Sequence, residues 1–232
     1  EAIAALATRN DIFQRAGMLV HIIEPTAMPA NISRPADSPR IAILPQPRLR
    51  EMMGASAIWQ SVDEFGNEVR KHPPEWAVKA VDARGHWAGI PSLLGVVESP
   101  ILRSDGSILD TPGYDSATGL IFRPRCDMPS IPENITKADV RSAVDVLTEA
   151  VADFPFETAD HLAAWFAALL TPLARYAFDG PAPLFAVDAN SQGSGKGLLV
   201  DVIGHIVRGR EIAKSTESAN DVEMAKKITS IA

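Results

Sequence analysis

Leu184-Phe185-Ala186-Val187-Asp188 reads as a buried β-strand, Ala189-Asn190-Ser191-Gln192-Gly193-Ser194-Gly195-Lys196-Gly197 as a glycine-rich turn, and Leu198-Leu199-Val200-Asp201-Val202-Ile203-Gly204 as the start of an amphipathic helix. Strand, turn and helix in that order create an anion site. Successive backbone N–H groups of the turn, with the unpaired N–H groups and positive dipole end of the helix, form a concave nest, and Lys196 supplies a cation beside it. The same residues also suit a plainer use, in which the glycines let a strand pack closely on its helix and Lys196 stands in solvent.

The turn follows the phosphate-loop (P-loop) pattern G-x-x-x-x-G-K-[ST] except at two positions. Asn190 replaces the first glycine, and asparagine reaches left-handed backbone angles more easily than most side chains. Gly197 replaces the Ser or Thr whose hydroxyl holds Mg²⁺, and glycine offers the metal nothing. Phosphate binding is therefore better supported than hydrolysis. On this reading the cofactor-binding residues are Asn190, Ser191, Gln192, Gly193, Ser194, Gly195, Lys196 and Gly197, the nucleotide is ATP, and the Mg²⁺ site lacks its usual ligand.

At 232 residues the chain has room for one large or two small domains, and 46% apolar with 22% charged residues is ordinary globular composition. Its net charge of −7 divides into −3 for residues 1 to 135 and −4 for 136 to 232. Neither half is a polybasic nucleic-acid grip, so DNA binding would need a local cluster or parts outside this chain. A single cysteine, Cys126, excludes an internal disulfide and fits a reducing cytoplasm. The longest wholly apolar stretch, Leu162 to Leu170, is too short to cross a bilayer, and no cleavable signal peptide is visible. Glu1 lies inside a predicted helix and Ala232 on an apolar run, so a piece of a longer polypeptide is expected.

Working outward from the turn, residues 1 to 12 suit a helix, and Met18–Ile23 and Arg40–Leu44 suit two strands of a long-loop hairpin. Pro47 opens a helix running to about Trp59, and Gly66-Asn67 turns a hairpin between Gln60–Phe65 and Glu68–Lys71. Pro73-Pro74 opens a helix over Glu75–Ala83 that Gly85 ends. Short apolar runs from Leu93 to Phe122, broken by Ser104-Asp105-Gly106-Ser107 and Pro112-Gly113-Tyr114-Asp115, imply several short strands. The expected organisation is α/β: a small α+β domain over residues 1–135, closing in a Pro-rich linker, then a helical lead-in and the first half of a truncated P-loop NTPase core over 136–232. In that second part Thr136 and Asp139 form a capping box before a helix with Val140, Val144, Leu147 and Val151 in register. Ala159–Phe178 is apolar around most of its circumference and predicts a buried helix, Glu211–Lys214 a strand, and Asp221–Ile231 a helix.

The order of Asp153-Phe154-Pro155-Phe156, Leu170-Thr171-Pro172-Leu173-Ala174-Arg175, Gly180-Pro181-Ala182-Pro183-Leu184-Phe185, Val187-Asp188-Ala189-Asn190 and Gly193-Ser194-Gly195-Lys196-Gly197-Leu198-Leu199 closely resembles the ATPase segment of primase-helicase-like replication proteins of phages and integrated mobile elements. Upstream, Phe13-Gln14-Arg15, Pro73-Pro74, Ala83-Arg84-Gly85, Gly95-Val96-Val97 and the run from Leu102 to Asp115 resemble the domain that precedes that ATPase. The resemblance implies an ATP-binding domain of the helicase or AAA-like type, a hydrolase acting on DNA in replication of a mobile element, and a possible homo-oligomeric ring. It also implies that an acidic strand carrying the metal-binding Asp follows Ala232. Asp188 does not replace it, because it lies on the P-loop strand itself. In the implied site, amides from Ser191 to Gly197 wrap the β-phosphate and Lys196 bridges β- and γ-phosphate oxygens.

Other residues offer less. His21, His72, His86, His161 and His205 show no metal-ligand spacing with each other or with Cys126. Arg84, His86 and Trp87 have the composition of a single-stranded DNA stacking group, but a tryptophan packed at a helix end with Arg84 solvated is the favoured account. Lys226-Lys227 reads as a solvated helix face. Three functions follow: a motor ATPase of a DNA helicase-primase lacking its second catalytic half, a nucleotide-binding module that does not hydrolyse, and an interaction module without a phosphate site.

Overall fold

The helix expected over residues 1 to 12 is shorter than predicted, α1 (Ala2–Leu6), and the chain then turns into an antiparallel meander of β1 (Phe13–Arg15), β2 (Met18–Ile23) and β3 (Arg40–Ile43). Ala16 and Gly17 both have positive φ, 48° and 75°, the requirement of a two-residue hairpin turn that matches strand twist. The computed structural model describes residues 1–24, 37–132, 134–191, 193–214, 220, 222 and 224. As predicted, β2 and β3 pair antiparallel, with Val20 opposite Ile43 and Ile23 opposite Arg40.

Two helices cover this sheet. In α2 (Gln46–Ser56) Pro47 sits in the first turn, where its missing N–H costs no helical bond. β4 (Gln60–Val62) and β5 (Glu68–Arg70) form the predicted hairpin, exposed along both strands, but β4 stops at Val62 rather than Phe65, so the connection runs over residues 63–67 instead of Gly66-Asn67 alone. Asp63 braces its tip by accepting from the Phe65 and Asn67 amides. α3 (Glu75–Asp82) follows Pro74. Leu6, Leu19, Leu49, Met53, Val78 and Trp87 meet in the core between these elements. The Gln14 side chain fastens the following loop to the sheet: Nε2 donates to the Trp87 and Ile90 carbonyls and Oε1 accepts from the Trp87 amide.

The short strands predicted from Leu93 onward are β6 (Gly95–Val97), β7 (Ile101–Leu102), β8 (Ile108–Leu109), β9 (Gly113–Asp115) and β10 (Leu120–Phe122). β10 is central, parallel to β6 and antiparallel to β9, while β7 and β8 form their own hairpin. Arg103 joins these pieces. Its guanidinium pairs with both oxygens of Asp115 (3.1 and 3.2 Å) and donates to the Ile108 carbonyl (2.9 Å).

The rest is helical: α4 (Lys137–Glu149), α5 (Ala159–Ala174) and α6 (Lys196–Arg208). The Thr136–Asp139 capping box is formed in both directions. Two expectations need correcting. α5 ends at Ala174, not Phe178, and buries only Trp165 and Leu169, with Leu170 on its open side. The predicted strand at 184–188 is not formed: residues 181–189 have no regular structure, and Leu184 is 97% exposed. A strand exists only when a neighbour takes its N–H and C=O groups, and among the described residues none does.

Glu211–Lys214 likewise makes no named strand. It folds back along α6, where a Cβ on Gly204 would stand 2.8 Å from the Arg210 carbonyl oxygen and 2.9 Å from the Ile212 nitrogen, and Lys214 reaches Asp201 at 2.5 Å. The predicted helix over Asp221–Ile231 lies outside the described residues except for Val222 and Met224, both helical. The architecture is thus mixed α/β, with six helices and four small sheets among the described residues. Contacts cross residue 135: Tyr176 packs on the cluster of Ile101, Leu109, Leu120 and Phe122.

The Arg103 guanidinium, with help from Thr118, holds the Asp115 carboxyl below its usual 3.8. A depressed folded-state pKa means that this stabilisation is complete above the unfolded value and is lost as pH falls through the folded one. Asp115→Asn is expected to cost about 1–2 kcal/mol at pH 7, and the gap in melting temperature between mutant and parent should narrow progressively as pH falls below about 4. A gap independent of pH would contradict the pairing.

Candidate functional site

The glycine-rich turn owes its position to one apolar contact between α5 and α6. Trp165 and Leu169 from α5 meet Leu199 from the first turn of α6, with Val151 beneath. The buried indole also donates to the Leu199 carbonyl at 3.3 Å. Phe154 packs against the same cluster, and its ring lies 3.3 Å from where a Cβ on Gly195 would be. The sequence-based site omits Phe154 and Trp165. The available signal is the pairing of an aromatic run, Phe154-Pro155-Phe156, with a glycine that has no room for a side chain.

Within the turn, Gly193 (φ 75°) and Gly195 (φ 83°) are left-handed, and Gly195 is the N-cap of α6. Having no side chain, it caps nothing. The first helical bond is Leu199 N–H to Gly195 C=O at 2.9 Å, and among the described residues no acceptor meets the N–H groups of Lys196, Gly197 or Leu198. These three N–H donors, at the positive end of the helix dipole, thus have no protein partner among the described residues. The Lys196 side chain bends back over the turn, its Nζ 3.3 Å from the Ser191 carbonyl oxygen and 3.5 Å from Ser194 Oγ. The ammonium group therefore sits over the loop rather than away from it.

Ser191, Gly193, Ser194, Gly195, Lys196 and Gly197 are thus brought together, while Gln192 lies outside the described residues. Asn190 is exposed but does not use left-handed angles, since Ala16 is the only non-glycine with positive φ among the described residues. The expected reason for asparagine there does not hold. At Gly197 a Cβ would meet nothing within 4 Å, so the missing hydroxyl is not excluded by crowding. Asp188 accepts from the Ala189 amide at 2.8 Å in a local turn.

No group of three or more His, Cys, Asp or Glu side chains suited to a metal occurs among the described residues. The Lys196 ammonium and the N–H groups of the turn are donors of the kind a phosphate chain needs, while the described residues supply no metal ligand set. Trp87 is fully buried and donates to the Val81 carbonyl at 2.6 Å, so the Arg84–Trp87 group is a packed tryptophan rather than a stacking surface. Cys126 is exposed, and no described helix is long and apolar enough to cross a membrane. Lys226 and Lys227 lie outside the described residues.

Comparison with known proteins yields no matching family model, curated protein or solved structure.

Gly195 and Gly197 separate loop geometry from helix propensity. Gly195→Ala should lower stability by about 1–2 kcal/mol, because an L side chain resists the left-handed angles and would press on Phe154. Gly197→Ala, in open helical space, should leave stability unchanged or raise it by up to about 1 kcal/mol. Thermal melts of both variants check this. Equal effects would mean that the loop does not have this backbone.

Proposed function

We propose that this chain binds the phosphates of ATP in the loop from Ser191 to Gly197, as part of a replication ATPase of the primase-helicase type. The observation that carries the reading is the Lys196 ammonium folded over a loop with two left-handed glycines, ahead of a helix start whose amides meet no acceptor among the described residues. Amides from Gly193 to Gly197 face the β-phosphate. Lys196 exchanges its contact with the Ser191 carbonyl for β- and γ-phosphate oxygens, a stronger charge-assisted pairing. Gly193 and Gly195 let the backbone approach without a Cβ in the way, and Ser194 brings the nearest hydroxyl. The resemblance set out above extends this to DNA as the partner of the whole protein and to assembly as a ring of identical copies.

The P-loop NTPase core belongs to this proposal too. Residues 181–189 carry the composition of its first strand, and their exposed Leu184 and Val187 suit a segment that pairs only when neighbouring strands are supplied.

A second reading, a nucleotide-binding module that does not hydrolyse, is favoured by one feature. Gly197 gives Mg²⁺ no hydroxyl, and among the described residues no group of three or more His, Cys, Asp or Glu side chains is placed to hold a metal. ATP would then act as a conformational ligand.

Lys196→Ala is expected to weaken ATP affinity at least about tenfold by calorimetry, equivalent to roughly 1.4 kcal/mol. Unchanged affinity would remove the phosphate site. Adding the missing hydroxyl with Gly197→Ser should make ATP binding more dependent on Mg²⁺ if metal approaches this end of the helix, and the passive reading predicts no change.

A further inference from the structure

Beyond the ends of the parallel strands β6 and β10, a hollow of about 170 Å³ opens beside the C-terminal end of α6. Arginines and carboxylates line it together: Arg123, Arg125 and Arg210 against Glu24, Asp37 and Glu98. The pairs differ in how firmly they are held. Arg210 and Glu98 have side chains only 6% and 3% exposed and contact each other directly, and Arg208 adds a second bond to Glu98 at 3.2 Å. Asp37 and Glu24 stand at the mouth, 54% and 46% exposed. Asp37 spans Arg210 (2.8 Å) and Arg125, while Glu24 holds Arg123 (2.8 Å).

Exposed ion pairs contribute little and exchange readily with other ions, whereas taking a partner from a buried pair strands a charge. Glu98 is therefore fixed, and Asp37 and Glu24 are replaceable. Without them, three guanidinium groups would face one small hollow. Arg210, whose buried Nε meets no partner among the described residues, would regain an open donor at its tip. Forked, permanently charged donors of this kind match the oxygens of a phosphate group.

We propose that the hollow is a second anion site, for a phosphate group, kept closed by Asp37 and Glu24 standing in for the ligand's charge. The phosphate comes from a free oligophosphate or from the backbone of a nucleic acid. The site is separate from the loop at Lys196 and does not depend on it.

The test is made on the full chain carrying Lys196→Ala, so that the loop contributes nothing, with pyrophosphate binding followed by calorimetry and a labelled single-stranded oligonucleotide followed by anisotropy. Asp37→Asn should tighten binding by about fivefold and Arg125→Gln weaken it by about tenfold, while Glu64→Gln, an exposed charge removed from the distant hairpin tip, should change neither. Arg123→Gln repeats the loss without disturbing the bond from Arg125 to the Gly209 carbonyl. Parallel effects on both probes identify nucleic-acid backbone as the source, and effects on pyrophosphate alone identify a free anion. The proposal is overturned if Asp37→Asn and Glu64→Gln act alike, or if neither arginine substitution weakens either probe.

Discussion

One buried contact places the candidate phosphate loop: Trp165 of α5 against Leu199 of α6, with the indole N–H on the Leu199 carbonyl. In a sheet-based nucleotide fold a central strand and its neighbours would fix the loop from below. Here residues 181–189 are exposed and have no strand partner among the described residues, so the helix behind the loop carries most of that task. Phe154 completes the support by filling the space beside Gly195. Loss of either aromatic would free the helix start, and with it the direction of its first amides.

α6 is anchored at its far end by different chemistry. Its 13 residues span about 20 Å, from the loop at Lys196 to Gly209, where a left-handed glycine turns the chain back. The returning segment lies so close to Gly204 that any side chain there would strike backbone. Arg210 then enters the buried pairing with Glu98, beside the end of β6. An apolar anchor at one end and an ionic one at the other join the helical part to the sheet part through a single rigid element.

Much of the fold was legible wherever a local rule was decisive. Pro47, Gly66-Asn67 and the Thr136–Asp139 box each bear on a backbone requirement within a few residues, and each element formed, although α2 stops at Ser56 rather than Trp59 and β4 at Val62 rather than Phe65. The failures concern elements whose state depends on distant partners. Leu184–Asp188 has strand composition, but composition supplies no neighbour for its hydrogen bonds, and the apolar circumference of α5 predicts burial only if something covers it. The candidate site divides in the same way. The glycines and Lys196 could be read from spacing, whereas Phe154, Trp165 and the arginine-lined hollow come from chain segments far apart in sequence.

The most direct test of the account is to follow the backbone amides of Gly193, Ser194, Gly195, Lys196 and Gly197 by ¹H–¹⁵N NMR while ATP is added. If the loop holds phosphate, these amide protons move downfield together and saturably, as hydrogen bonds to anionic oxygens require. If they stay in place while other amides shift, the nucleotide binds elsewhere and the proposed site is wrong.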